Sequence, residues 1–208
     1  MKKSWISYKK RILNKGKRAA VMVKWIRRGN IFLNTKIQEK IWFGLGRSTL
    51  EYGAEIWEDE TIWEETEVVQ RKVMGYIIKA KKGTTNASVH GDLGWPSLKA
   101  RRQMLKLRYW RKIVTMKNSR LAKSVYNEEL KANENNTWSS SVRILLKKMN
   151  LEKYWNTQMI TKTEEEWNNL VEKSINKQKK DEWKKAVQKG KKLDTYRIIE
   201  KNHKEKNN

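Results

Sequence analysis

Leu-Glu-Tyr-Gly-Ala-Glu-Ile-Trp (50–57), Val-Val-Gln-Arg-Lys-Val-Met-Gly-Tyr-Ile-Ile (68–78) and Thr-Thr-Asn-Ala-Ser-Val-His-Gly-Asp-Leu-Gly-Trp (84–95) follow one another along the chain, and a basic, Trp-containing run from Pro96 to Met116 closes the stretch. Val69, Val73, Tyr76 and Ile77 recur at i, i+4, i+7 and i+8, the spacing of one buried helical stripe. Thr61 and Glu64 have the spacing of a capping box, in which hydroxyl and carboxylate satisfy the orphan amides of a helix start. Asp59, Glu60, Glu64 and Glu65 then suit the positive end of that helix, and Lys79, Lys81 and Lys82 its negative end, each worth about 0.3–1 kcal/mol. A metal site built from these carboxylates is the alternative, and helix-end electrostatics explains them more simply. Gly83 is expected to end the helix.

Thr85 is placed to cap a short helix through Ala87 and Val89, with Gly91 and Gly94 as punctuation. Pro96 suits the first position of the next helix, where its missing amide hydrogen costs nothing. On a helical wheel Leu98, Leu105, Tyr109, Ile113 and Met116 form one apolar face, and Leu107, Trp110 and Val114 a second. Between them run two basic stripes, Arg101/Arg108/Lys112 and Lys99/Lys106/Lys117. A helix apolar on two sides is expected to pack between neighbours and to leave narrow cationic strips at its margins.

Outward from this stretch the chain continues to read as helix. Ile12 to Ile26 fits one, closed by Gly29-Asn30. Asn34 or Thr35 caps a second, with Ile37, Ile41, Leu45 and Leu50 as its stripe, and Gly44 and Gly46 inside it signal close packing or a kink. Ser119 is placed to cap a helix to Leu130, Lys131–Asn136 reads as a loop, and Thr137 starts a helix carrying Val142, Leu145, Leu146 and Met149. Thr163 caps a long segment over 161–189 with Trp167, Leu170, Val171, Ile175 and Trp183 as a thin stripe. The expected fold is all-α: a multi-helix bundle over 1–130 with a long basic helical C-terminal region over 131–208.

Composition agrees. The 208 residues include 11 Trp and a single Pro, so large rings demand burial while little interrupts the helices. Formal net charge is +25, from 48 Lys+Arg against 23 Asp+Glu. It is arranged in blocks: residues 1–50 hold 14 basic and one acidic residue, 51–70 eight acidic and none basic, and 71–117 thirteen basic and one acidic. Such an excess repels itself unless a polyanion offsets it. The competing explanation is an AT-rich coding sequence that inflates Lys, Asn and Ile. Cysteine is absent, which excludes disulfides, thiolate nucleophiles and Cys-type zinc sites. No run approaches the roughly 20 apolar residues of a membrane span. A soluble intracellular protein, nuclear or cytoplasmic, is expected.

Catalytic groups do not converge in the sequence. His90 and His203 lack metal-ligand spacing, and Asp59, Asp92, Asp181 and Asp194 offer no adjacent pair for a two-metal site. A phosphate-binding GxxxxGK[ST] loop is missing as well. An independent active site is not expected, and no cofactor or metal is implied. Binding is the better fit, with Arg and Lys neutralising phosphates and Trp and Tyr offering stacking faces. The candidate contact residues are Lys79, Lys81, Lys82, Arg101, Arg102, Lys106, Arg108, Arg111 and Lys112, with Trp110 among them. A helical protein–protein module whose charge is compositional is the alternative from another class.

The order of residues adds a resemblance. Tyr52-Gly53-Ala54-Glu55-Ile56-Trp57, Val69-Gln70-Arg71-Lys72, Asn86-Ala87-Ser88-Val89-His90-Gly91-Asp92-Leu93-Gly94-Trp95, Arg101-Arg102 and Leu107-Arg108-Tyr109-Trp110 succeed one another. This succession resembles the region downstream of the catalytic palm in reverse transcriptases of non-LTR retrotransposons, with their "YGxExW", "VQR", "NAxVxGELG" and "LRFW" elements. Arg11-Ile12 with Lys17-Arg18-Ala19-Ala20 is similar to the family's "RI…A" helix, and Lys192-Leu193-Asp194-Thr195-Tyr196-Arg197 to its "KLRTYR" element. The family's palm, with its metal-binding "ADD" aspartates, and its terminal Cys/His cluster have no counterpart in this sequence. The resemblance implies a helical thumb-like region over 1–130 that lies against template and primer. It also implies a catalytically incomplete fragment of an RNA-directed DNA polymerase, with RNA or DNA as nonspecific partner and a palm encoded elsewhere as the one route to activity.

Overall fold

The computed structural model describes residues 2–29, 33–56, 61–132, 134–135, 137–190, 193–194 and 198. Helix is the regular structure among them, and no strand occurs among the described residues. The chain divides into two compact units along a line other than residue 130. Unit one comprises Met1–Tyr52, Glu60–Leu98 and Lys179–Asn208, and unit two Gly53–Asp59 and Lys99–Gln178.

Unit one begins with α1, Lys2–Gly29, a longer helix than the spacing from Ile12 to Ile26 predicts. Asn30, the other half of its expected terminator, lies outside the described residues. Ile12, Leu13, Ala19, Ala20 and Val23 are buried along one side at helical spacing. Gly16 lies among them, and the Leu50 side chain occupies the space that a Cβ there would need.

Asn34 caps α2 (Thr35–Ile41) by accepting the Lys36 amide at 2.9 Å. The predicted stripe then fails, because Ile37 is 50% and Leu45 47% exposed. The inward face is displaced by one residue already within α2, and a π-helical segment, Trp42–Arg47, follows, with one residue more in its hydrogen-bonded ring, before α3 (Ser48–Glu51) resumes. Gln38, Trp42, Gly46 and Leu50, four residues apart, are the ones that turn inward. The two glycines differ: nothing crowds a Cβ at Gly44, while Gly46 is packed closely within its own segment. The segment is irregular, and the Trp42 ring fills the place of a Gly46 Cβ.

Helix α4, Thr61–Ile77, buries Val69, Val73, Met74 and Ile77, with Tyr76 half-buried. The Thr61 side chain, Trp57, Asp59, Glu60 and the Trp63 side chain lie outside the described residues. The helix stops six residues before Gly83, since Lys79 takes a left-handed conformation (φ 56°) and the Ala80 amide reaches back to the Gly75 carbonyl at 2.9 Å. Gln70, 1% exposed, donates from Nε2 to the Pro96 carbonyl at 3.1 Å, tying α4 to the turn that follows α5.

Helix α5, Asn86–Leu93, is capped as its residues predict. Thr85 Oγ1 accepts the Ser88 amide at 3.2 Å, and Gly94 closes the helix at φ 63°. Trp95 is then buried against Phe43, with ring centroids 4.7 Å apart, and donates to Glu39 Oε1 at 3.0 Å. Pro96 lies two residues ahead of the next helix rather than at its first position.

His90 in α5 is held below its ordinary pKa of 6.5, chiefly by burial, against the opposing pull of a hydrogen bond with the Trp95 backbone and of Glu67; Arg71 and Lys179 add to the lowering. With its pKa depressed on folding, the unfolded chain takes up the proton first as pH falls. Its contribution is therefore present above pH 6.5 and is lost as the solution acidifies below it. The melting temperature of the wild type is expected to fall between pH 7 and pH 5, and His90→Gln to shallow that fall. An identical pH dependence in the variant would refute the assignment.

Unit two is built on α6 (Leu98–Thr115), α7 (Leu121–Ala132), α8 (Trp138–Lys148), α9 (Glu152–Thr157) and most of α10 (Glu164–Lys189). Helix α7 starts two residues beyond Ser119. Thr137 makes a capping box with Ser140 at the head of α8, whose Val142, Leu145 and Leu146 are buried, as is Met149 just past its end. Thr163 and Glu166 form a second box, each side chain accepting the other's backbone amide at 3.2 and 2.8 Å. Hydrogen bonding from the Thr163 backbone amide, and then from the Thr163 side chain, holds the exposed Glu166 carboxyl below the ordinary range. Trp167, Val171 and Ile175 of α10 are fully buried, so its stripe is core.

Aromatic rings fill the centre of unit two, and the polar tips of Trp110, Tyr126, Trp138 and Trp167 are paired. Trp110 Nε1 donates to Tyr126 Oη at 2.8 Å, and the Tyr126 hydroxyl donates in turn to Gln158 Oε1 at 2.8 Å. Trp167 Nε1 donates to the Leu107 carbonyl at 3.1 Å and Trp138 Nε1 to the Glu55 carbonyl at 2.8 Å. Buried indoles and phenols need such partners, because an unmatched polar atom in an apolar interior costs about 1–3 kcal/mol.

Candidate nucleic-acid interface

The sequence places its contact surface on α6, and the structure turns most of those cations inward. Arg102 is 9% and Lys106 8% exposed, and Lys106 Nζ donates to Ser141 Oγ at 3.0 Å. Arg111 Nη2 donates to the Lys162 carbonyl at 3.1 Å, while Arg101 and Arg108 are half-buried. Within α6 only Lys112 and Thr115 are exposed. A helix apolar on two sides leaves margins too narrow for long side chains, so their stems join the packing, and the heads of Lys106 and Arg111 turn to Ser141 and to the Lys162 carbonyl. The expected cationic strip is therefore reduced to Lys112, and Trp110 is core. Lys79, Lys81 and Lys82 are exposed in the turn after α4, in the other unit. The nine candidates thus divide between the two units.

A larger cationic surface lies on α1. This helix carries eleven Lys and Arg and no Asp or Glu. With its apolar residues facing the unit-one core, Arg11, Lys15 and Arg18 turn to solvent, and all three are exposed. Arg11, Arg18 and Trp25 are seven residues apart, so they line up along the helix at steps of about 10.5 Å. Lys10, Lys17 and Lys24 form a parallel line beside them. Arg11 lies 5.3 Å from the Tyr8 ring centroid and Lys24 Nζ 5.4 Å from that of Tyr76. Lys17 pairs with Glu65 at 3.2 Å, an exposed bridge of little energetic weight.

Where α1 meets α4 a groove of about 510 Å³ opens, with Val21, Trp25, Val68 and Val69 among its walls and Lys17, Lys24 and Lys72 at its rim. Trp25 is 66% exposed there. The sequence signal for this surface was present in the seven-residue repeats and in the absence of Asp and Glu from residues 2–29. Among the described residues no three His, Asp or Glu side chains converge as metal ligands would, and no helix is long and apolar enough to cross a membrane. Comparison of the chain with models of protein families, with curated proteins and with solved structures finds no match.

Proposed function

We propose that this chain binds nucleic acid without sequence preference, through the solvent face of α1, as a non-catalytic relative of the post-palm region of non-LTR reverse transcriptases. The observation that carries the binding is the exposed row Arg11, Lys15 and Arg18 on a helix free of carboxylates. The lineage rests on the order of motifs between Tyr52 and Trp110. Their central residues include Gln70, Trp95, Leu107 and Trp110, all buried. These serve the fold, so the likeness concerns architecture, and contact is left to α1 and to the exposed lysines of the 79–82 turn.

The rival reading, a protein–protein module, asks for an aromatic patch set apart from the cations. Trp25 is exposed in the same row as Arg11 and Arg18 and beside Lys24, which favours the polyanion. A fluorescent mixed-sequence 20-mer, titrated at several salt concentrations, tests the proposal. Each phosphate contact contributes a slope of about −0.7 on single strands and about −0.9 on duplex in log K against log salt. Reversal of Arg11, Lys15 and Arg18 to Glu is expected to weaken binding more than tenfold, and reversal of Lys79, Lys81 and Lys82 to do so less. A flat salt response, or an unchanged affinity in the α1 variant, sinks the proposal. Primer extension is expected only if a palm fragment is supplied, and its absence from the chain alone is part of the reading.

A further inference from the structure

We infer that the groove between α1 and α4 takes an unpaired base, so that the chain prefers single-stranded nucleic acid to duplex; this rests on the reading of α1 as a polyanion-binding face. A strand following Arg11 and Arg18 along α1 arrives next at Trp25, whose indole lies open to solvent at the groove. Val21 and Val68, 50% and 39% exposed, extend the apolar surface beside it. The groove's volume, about 510 Å³, falls within the range of about 300–1,000 Å³ typical of small-ligand clefts.

Charge at the rim argues against an apolar peptide. Three lysines, Lys17, Lys24 and Lys72, stand against a single carboxylate, Glu65, which is already paired with Lys17. That pattern suits a flat apolar group carried on a phosphate backbone: the base stacks on the indole while the flanking phosphates meet the ammonium heads. A duplex keeps its bases within its own stack and engages the cationic row alone.

Four ligands and two variants separate the outcomes. The full chain is titrated with a mixed-sequence single-stranded DNA 20-mer, the same sequence as RNA, the matching DNA duplex, and a single-stranded 20-mer of abasic residues. Wild type is expected to bind either single strand about tenfold more tightly than the abasic strand. Trp25→Ala is expected to remove that advantage while changing duplex affinity less than twofold, and Trp25→Phe to keep most of it. Equal affinity for all four ligands with a normal salt slope, untouched by Trp25→Ala, overturns the base pocket and leaves the α1 reading standing. Failure to bind any of the four overturns both. Sedimentation of the free chain covers the other occupant: a dimer that Trp25→Ala dissociates would assign the groove to a second copy and overturn the inference.

Discussion

Replacing Trp110 with alanine is expected to destabilise unit two by about 3–5 kcal/mol, the range for removing a large buried ring. Trp110 has no solvent exposure, and its ring lies 5.7 Å from that of Trp167 and 6.2 Å from that of Trp155. Its loss opens a cavity bounded by rings, which cannot collapse into it as flexible aliphatic chains do. It also removes the donor that the Tyr126 hydroxyl accepts. Since folded proteins are stable by only about 5–15 kcal/mol, such a loss is a large share of the whole. Urea unfolding followed by near-UV circular dichroism measures it, and a loss below about 1.5 kcal/mol would show that this centre is not packed as described. Tyr126→Phe supplies the scale: it strands the Trp110 donor and is expected to cost about 1–3 kcal/mol.

The second large effect lies in the π segment. Gly46→Ala places a Cβ in the Trp42 ring, and Trp42 has no solvent exposure and no room to retreat. Overpacking of this kind costs about 1–3 kcal/mol or more. Trp42→Ala alone is expected to cost about 3–5 kcal/mol. In the Trp42→Ala background the sign of Gly46→Ala should reverse, because the obstruction is gone and alanine favours helix over glycine by up to about 1 kcal/mol. A double-mutant cycle in urea measures the coupling. Additivity within about 0.5 kcal/mol would rule out the contact between these two positions.

What the sequence made legible was local. Thr85, Thr137 and Thr163 cap the helices they precede because a hydroxyl and an amide two or three residues on need no distant partner. The stripes of α4 and α8 were legible for the same reason, each being a repeat within one helix. Phase is harder. Ile37 and Leu45 fit an α-helical repeat, and only the inward turn of Trp42, with Gly46 making room for it, shows that the helix is unwound there. Charge misled in a related way. Lys106 and Arg102 belong by type to the surface, yet α6 is apolar on two sides, and that geometry overrides residue type. The α1 face was spelled out by Arg11, Arg18 and Trp25, but which way a basic helix turns is set by Leu50, Val73 and Met74 far along the chain.

The π segment, Trp42–Arg47, carries one residue more than an ordinary helix of the same rise. A related chain with a plain helix at this point is one residue shorter, and aligning the two opens a gap inside a helix where no loop exists. Length differences between Asn34 and Glu51 therefore report on rotation of the helix about its axis, and their correct placement decides whether Gln38 and Trp42 are matched to inward or outward positions.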